Sequence, residues 1–558
     1  MAKSNIQGAQ DTVAAPVNTP ADGTANASGS AGTWDRAGFA IGVALALLIG
    51  FAIRAGRVLP ADFPLNDGGL FLRMVEAVRA NGLIPPATVS YNGIELPFVY
   101  PPLAFAAAAL LANAGVPAVE TLRVLPLLAN TASMAAFALL AATILRPGLA
   151  AGLATLAYTA LPWSYVWLLM GGGLTRAFGL CFALLALQQA YLLATRGGRI
   201  HVVLLAVLAA LTVLCHLEVA WFMTLMTGCI VLGFGRRRAA VLRLGAAALG
   251  AAVLTSPWWA LVIGRHGLVP LTAAGQTGSA FTLAKADEPM PISDPGLLLV
   301  LLFLTAAFAA LIAMGDRRTV VLGTLGILLL GDVRSFSWLA GPVLALPLGA
   351  FLAGAAGVLA GRLAGARGGE ALPTTRDGGA RAGGARRRRG RIADWLVSGL
   401  AIAIVAFVSW FLNGGSVMPP SVLTTDEREA MGWAARNTPP ASRFLVITGD
   451  AWSTDRSGEW FPVLANRISV ATPQGTEWLP NQEFARRIEH HLEMTDCGTR
   501  DASCLAEWAS KTGRAYDAVY LADHVPARCC APLRAALEAD ASYTRIYAST
   551  DATIFARR

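Results

Sequence analysis

Apolar runs of membrane-spanning length recur along the chain and set its plan. The first covers about 37–54. Later runs fall at about 121–145, 149–169, 177–194, 200–214, 217–234, 244–263, 296–314, 319–332, 335–356 and 393–412. A helix needs roughly 20 apolar residues to cross a bilayer, so these runs predict about eleven spans. The segment 101–114 (PPLAFAAAALLANA) is apolar but short, and predicts a helix lying in the interface. After residue 412 the pattern changes. Strand-length apolar runs at 444–449, 467–471, 517–522 and 546–556 alternate with helical stretches near 426–436, 482–494 and 531–539. Thr424 or Thr425 precedes acids in the first turn of the first stretch, an N-cap signature. This alternation predicts a small α/β domain at 413–558.

Composition agrees. The 558 residues are 55% hydrophobic and 14% charged, whereas a soluble domain carries roughly 25% charged residues. Residues 1–35 hold Ala, Gly, Ser, Thr and Pro with few large apolar side chains, and are expected to be a disordered cytoplasmic tail. No basic segment leads them as in a signal peptide. The membrane region is then 36–412, with a first outer loop at 55–120 and an Arg-rich cytoplasmic linker at 357–392.

The net charge of +9 does not point to nucleic acid, because the arginines cluster between apolar runs. The clusters are Arg196 and Arg199, Arg236–Arg238, Arg317 and Arg318, and the linker with Arg386–Arg389. Cytoplasmic loops collect Lys and Arg. All four clusters fall inside only if 101–114 does not cross, which places the N-terminus inside and 413–558 outside. Arg54 and Arg57, at the outer end of the first span, run against that rule. Cys181, Cys215 and Cys229 lie in spans. Cys497, Cys504, Cys529 and Cys530 lie in the outer domain, where two disulfides are expected. Neighbouring cysteines bond each other only with strain, so Cys529 and Cys530 are each expected to pair with one of Cys497 and Cys504. A metal site is the alternative for these four.

The polar chemistry gathers on the outer side. Asn66-Asp67-Gly68-Gly69 follows the first span and opens an amphipathic stretch, with Leu70, Phe71, Met74, Val75 and Val78 on one face and Arg73, Glu76 and Arg79 on the other. Asp67 thus stands at the start of a membrane-surface helix; a solvated loop aspartate in an Asx-turn is the simpler reading. Arg176 and Arg334 sit at outer span ends among small residues that leave room for a lipid headgroup. Interfacial anchoring, or for Arg334 a pair with Asp332, would also explain them. Arg123 precedes the next span and has an anchoring role as its alternative. His216 and Glu218 interrupt an apolar stretch, either as acceptor-binding groups, as metal ligands with Asp67, or as a mutual hydrogen bond. The polar loop 264–295, with Lys285, Asp287 and Glu288, has the make-up of a lid or a plain linker. GEWFP (458–462) and QGTEW (474–478) set aromatics beside acids, suited to a sugar or to an ordinary core.

These features resemble the GT-C superfamily of integral membrane glycosyltransferases. The shared points are an acid after the first span (Asp67), a long first loop whose Pro101-Pro102-Leu103 opens a surface helix, Arg123 before the next span, and an outer C-terminal domain. The single acid is similar to the protein mannosyltransferase and aminoarabinose transferase group. The oligosaccharyltransferase branch instead carries a carboxylate pair in its second outer loop, where this chain has GGGLTRAFG (171–179). The resemblance implies a mainly α fold of GT-C type and a polyprenyl-phosphate sugar as donor. The acceptor would be a glycan, lipid or protein in cell-envelope assembly. It further implies Asp67 as base and Arg334 and Arg176 on the phosphate, with His216, Glu218 and Arg123 as further substrate-binding residues. No metal is required, although a divalent cation is compatible. A transporter of lipid-linked glycans and a non-catalytic glycan-binding assembly protein are the alternatives.

Overall fold

A computed structural model describes residues 25–234, 238–277, 336–366, 396–405, 422–523 and 529–558. Arg334, Asp332, the runs at 296–332, Lys285–Glu288, Arg236, Arg237 and Arg386–Arg389 lie outside the described residues.

Among the described residues six helices are long and apolar enough to cross a membrane: Arg36–Val58, Ala118–Leu145, Gly171–Thr195, Leu217–Phe234, Arg238–His266 and Gly341–Leu363. Shorter apolar helices are Leu103–Asn113, Leu149–Ala160, Arg199–Cys215 and Leu396–Val405. In chain order the helices used below are α1 (Ala25–Val58), α2 (Gly69–Ala80), α3 (Leu103–Asn113), α4 (Ala118–Leu145), α5 (Leu149–Ala160), α6 (Val166–Leu169), α7 (Leu174–Thr195), α8 (Arg199–Cys215), α9 (Leu217–Phe234) and α10 (Arg238–His266). The run expected to span 149–169 is broken. Pro162 cannot donate a helical hydrogen bond and biases Leu161 to extended backbone. So α5 ends at Ala160 and a 3-10 turn at Pro162–Ser164 leads into the one-turn α6. Helix α3 has 11 residues, about 16 Å at 1.5 Å per residue, roughly half the hydrocarbon thickness. It packs Ala104, Phe105, Ala108 and Ala109 inward and leaves Leu110 exposed.

Small residues let the apolar helices close on each other, as lipid provides no hydrophobic drive between them. A Cβ on Gly42 of α1 would stand 2.8 Å from the Gly152 Cα of α5. Arg54 turns inward from α1 and is fully buried. It donates to the Asn130 side chain, to the Gly50 and Thr159 carbonyls at 3.0 and 3.1 Å, and to Ser164 Oγ at 3.1 Å. Its guanidinium also lies 4.8 Å from the Tyr165 ring centre. Arg54 therefore ties α1 to α4, α5 and the Pro162 turn. Its place at a span end is one of packing.

The first long loop carries α2 and a hairpin, β1 (Thr88–Tyr91) and β2 (Ile94–Pro97), joined by Asn92-Gly93 with both residues at positive φ. The C-terminal domain is a five-stranded sheet in the order β4-β3-β5-β7-β6. Its strands are β3 (Arg443–Ile447), β4 (Ile468–Ser469), β5 (Ala518–Ala522), β6 (Tyr543–Ala548) and β7 (Ala552–Arg557). β3 pairs in parallel with β4 and β5, and β7 runs antiparallel to β5 and β6. The segment expected as one strand at 546–556 is a hairpin turning at Ser549–Asp551, where Ser549 N–H reaches the Ala552 carbonyl. The expected cap is present: Thr424 and Glu427 form a reciprocal capping box on the helix Thr425–Asn437.

The disulfides differ from expectation. Cys497 bonds Cys504, and Cys529 bonds Cys530. The helix Glu483–Asp496 turns back into Ala502–Thr512, bringing the Cys497 and Cys504 Cα atoms to 5.6 Å, the ordinary span of a bridge. That local closure leaves Cys529 and Cys530 to each other.

One apolar core joins the first loop to the C-terminal domain. Phe63, Phe71, Tyr91 and Phe105 pack in the same cluster as Leu423, Phe444, Trp460 and Ile554. Asn92 completes the union, since its side chain donates to the Ser469 carbonyl at 2.8 Å and accepts from Ser469 N–H at 2.7 Å.

Candidate functional site

Asp67 lies where three segments meet. Asn66 has φ 52° and Gly68 has φ 137°, so the chain reverses sharply around Asp67, and only glycine adopts the second value without strain. Behind it, the Gly171–Gly173 3-10 turn leads into α7. Gly171 N–H donates to the Leu65 carbonyl at 3.0 Å, and Gly172 N–H to Asp67 Oδ1 at 2.9 Å. The glycines allow this approach. A Cβ on Gly171 would fall 2.1 Å from the Asp67 carbonyl oxygen, and one on Gly172 would fall 2.5 Å from Asp67 Oδ2. The second loop, lacking a carboxylate of its own, thus contributes backbone that grips the carboxylate of the first.

The third segment comes from the C-terminal domain, in the helix Arg456–Leu464. Trp460 is fully buried, and its Nε1–H donates to the Asn66 carbonyl at 2.9 Å. Glu459 Oε1 accepts from Gly68 N–H at 3.1 Å, and the Glu459 carbonyl accepts from the Tyr91 hydroxyl at 2.8 Å. GEWFP therefore holds the Asp67 loop, and Trp460 has no free face for a sugar. In QGTEW, Trp478 packs edge-on against Tyr100 at 5.0 Å.

Asp67 itself stays partly exposed. Burial pushes its carboxyl above the usual range, while nearby Arg176 and the Gly172 amide act against that push. Burial, and then the charge of Asp67, hold Glu459 well above the usual carboxylate range.

Of the expected site residues, the structure gathers Asp67, Arg176 and His216 along the first turns of α7. Arg176 is in its first turn, with Nη1 donating to the Trp167 carbonyl at 3.2 Å. His216 is an extended residue between α8 and α9, and its Cβ would lie 3.2 Å from a Cβ on Gly179. Positions 176 and 179 share one face of a helix, so His216 abuts α7 one turn beyond Arg176. Glu218 is in the first turn of α9 and is half-buried. Arg123 is committed elsewhere: it pairs with Glu120 and donates to the Ala61 carbonyl, tying α4 to the loop after α1. Among the described residues no three His, Cys, Asp or Glu side chains converge as a metal site. Sequence reasoning missed the roles of Glu459, Trp460, Tyr91 and the Gly171–Gly173 backbone. Asn92-Gly93 was a readable hairpin signal, whereas the contact between Glu459 and Gly68 spans 391 positions and had none.

The chain shares its overall fold with several solved structures. No family model and no curated protein matches the sequence. Among solved structures it is similar to ArnT from Cupriavidus metallidurans bound to undecaprenyl phosphate, with TM-score 0.51 and 13% identity over 93% of this chain and 97% of that one. It is similar also to the archaeal oligosaccharyltransferase AglB from Archaeoglobus fulgidus with an inhibitory peptide and a dolichol-phosphate, with TM-score 0.51 and 14% identity, covering 93% and 74%. A third is the arabinofuranosyltransferase AftD from Mycobacteria, with TM-score 0.54 and 17% identity over 94% of this chain and 40% of that one.

Proposed function

We propose that the protein is a membrane glycosyltransferase that moves a sugar from a polyprenyl-phosphate carrier to an acceptor on the extracytoplasmic face, with inversion at the anomeric carbon. The observation that carries this reading is Asp67, a partly exposed carboxylate clamped by the Gly172 amide with Arg176 nearby. Two similar solved structures hold undecaprenyl phosphate and a dolichol-phosphate. Such lipids suit the same role here.

In the reaction the acceptor hydroxyl attacks the anomeric carbon as the bond from that carbon to the phosphate oxygen breaks. The hydroxyl proton passes to Asp67, and the polyprenyl phosphate leaves with the bonding pair. A phosphate is a good leaving group, so the demanding tasks are proton removal and neutralising the phosphate. A general base contributes about 10²–10⁴-fold, and a carboxylate whose pKa is raised by burial is the stronger base. Arg176 and Arg334 hold the leaving phosphate, and His216 and Glu218 face the acceptor. The outer placement of the site and a role in cell-envelope glycan assembly belong to the same proposal.

The test incubates the purified protein in lipid vesicles with a panel of labelled polyprenyl-phosphate pentoses and hexoses, and compares it with Asp67→Asn. Transfer by the parent and loss of at least about 10²-fold in the variant are expected. Equal transfer by a well-expressed Asp67→Asn protein overturns the mechanism.

A further inference from the structure

We propose that Glu459 is a positioning residue for Asp67, so that the C-terminal domain completes the transferase site rather than sitting beside it. The inference rests on the function proposed above. The first residues of α2 expose N–H groups that need acceptors. Gly68, at its N-cap, has no side chain to supply one. Glu459 reaches in from the other domain and accepts the Gly68 N–H. The fit is close, because a Cβ on Gly69 would lie 2.5 Å from the Glu459 carbonyl oxygen. Trp460 fixes the peptide on the other side through the Asn66 carbonyl. The residues before and after Asp67 are thus both held by consecutive residues of one helix in the C-terminal domain.

Glu459 is also a carboxyl beside a carboxyl. It is buried, and among the described residues no Lys, Arg or His forms an ion pair with it. The charged groups acting on it are Asp67 before α2 and Glu477 on the turn at Thr476–Trp478; Arg176 on α7 acts on Asp67, and Glu459, Arg73 on α2 and Asp455 at the start of its own helix all act on Tyr91 of β1. Two neighbouring carboxylates do not both ionise readily. Asp67 has the Gly172 amide, Arg176 and partial exposure, and takes the charge. Glu459 keeps its proton and caps α2 as a neutral acceptor. Were Glu459 to ionise, its charge would push the Asp67 carboxylate from the Gly172 amide and repel the donor phosphate.

The experiment measures kcat and KM against pH for the parent, Glu459→Gln and Glu459→Ala, using the polyprenyl-phosphate sugar that the parent consumes. Glu459→Gln keeps the neutral shape and the acceptor, so kcat at neutral pH stays within about threefold of the parent. The parent loses kcat on the alkaline side as Glu459 ionises, and Glu459→Gln lacks that loss. Glu459→Ala lowers kcat on the order of 10²-fold, as for a reacting group displaced by about 1 Å, with donor KM little changed. An unchanged alkaline limb in Glu459→Gln overturns the proposal, even if Glu459→Ala does not fold. Parent-like kcat in Glu459→Ala overturns it as well. A parent that consumes no polyprenyl-phosphate sugar, or an active Asp67→Asn, overturns the transferase reading instead, so the two failures are distinct.

Discussion

Gly172→Ala is a sharp test of the grip on Asp67. The new Cβ would sit 2.5 Å from Asp67 Oδ2, 2.9 Å from its Cγ and 3.1 Å from Oδ1. Non-bonded carbon and oxygen need roughly 3.4 Å, in line with dispersion minima near 3.5 Å, so the carboxylate must retreat by about 1 Å. It is the end of a side chain and can swing, so the fold survives. A misplacement of that size costs on the order of 10²-fold in rate. Gly171→Ala differs, because its Cβ would stand 2.1 Å from the Asp67 carbonyl oxygen and 3.1 Å from the Gly68 Cα. Backbone must move there, at about 1–3 kcal/mol or more. Gly245→Ala, on α10 with nothing within 4 Å of its Cβ, is the control and gains up to about 1 kcal/mol of helix propensity. Single-turnover transfer and thermal unfolding, measured on the same vesicle preparations, separate the outcomes. Gly172→Ala should lose rate with its Tm nearly kept, Gly171→Ala should lose both, and Gly245→Ala neither. Parent-like transfer by Gly172→Ala would refute the reasoning, since it would mean that the position of the Asp67 carboxylate does not matter.

Further expectations follow from the same contacts. Arg54→Leu strips four hydrogen bonds and takes the Arg54 donor from the buried Asn130 Oδ1; it should destabilise the membrane domain by at least about 3 kcal/mol, read as a lower unfolding midpoint, and an unchanged midpoint would refute the packing role. Asn92→Ala removes both bonds to Ser469 and should cost about 1–3 kcal/mol, seen as faster hydrogen exchange of the β1–β2 hairpin; unaltered exchange would argue against the docking. Stability against pH tests Glu459 without any activity assay. Burial, then Asp67, raise its folded-state pKa, so its contribution is present in acid and is lost as pH rises above the ordinary carboxylate range. The Tm of the parent minus that of Glu459→Gln should therefore fall from acid toward neutral pH, and a flat or rising difference would contradict the assigned state.

Several features were legible locally. Runs of apolar residues separated by arginines marked a polytopic membrane protein, because crossing lipid demands a continuous apolar helix. The amphipathic face of α2, the Thr424 cap and strand-length runs after residue 412 followed from short-range periodicity. Asp67 stood out because an acid beside two glycines follows the first span. Other features depended on chain reversal or distant contact. An apparent span is interrupted at Pro162, where Leu161 is extended, whereas Pro126 and Pro257 lie within continuous helices. The 546–556 segment hid a hairpin turn, and the cysteines paired by helix geometry rather than by avoiding neighbours.

The sequence alone determined that the chain is a helical membrane protein with an α/β appendage and an acid at the head of its first loop. Periodicity and transfer free energy act over ten to twenty residues and leave a local trace. What surrounds that acid was decided by the tertiary structure. Gly172 lies 105 positions from Asp67 and Glu459 lies 391 from Gly68, and no local pattern encodes which backbone amide or buried carboxyl will fill a given turn. The Gly171–Gly173 triplet looked like a missing carboxylate in one dimension. In three it is the space and the hydrogen-bond donor that let Asp67 be held where it is.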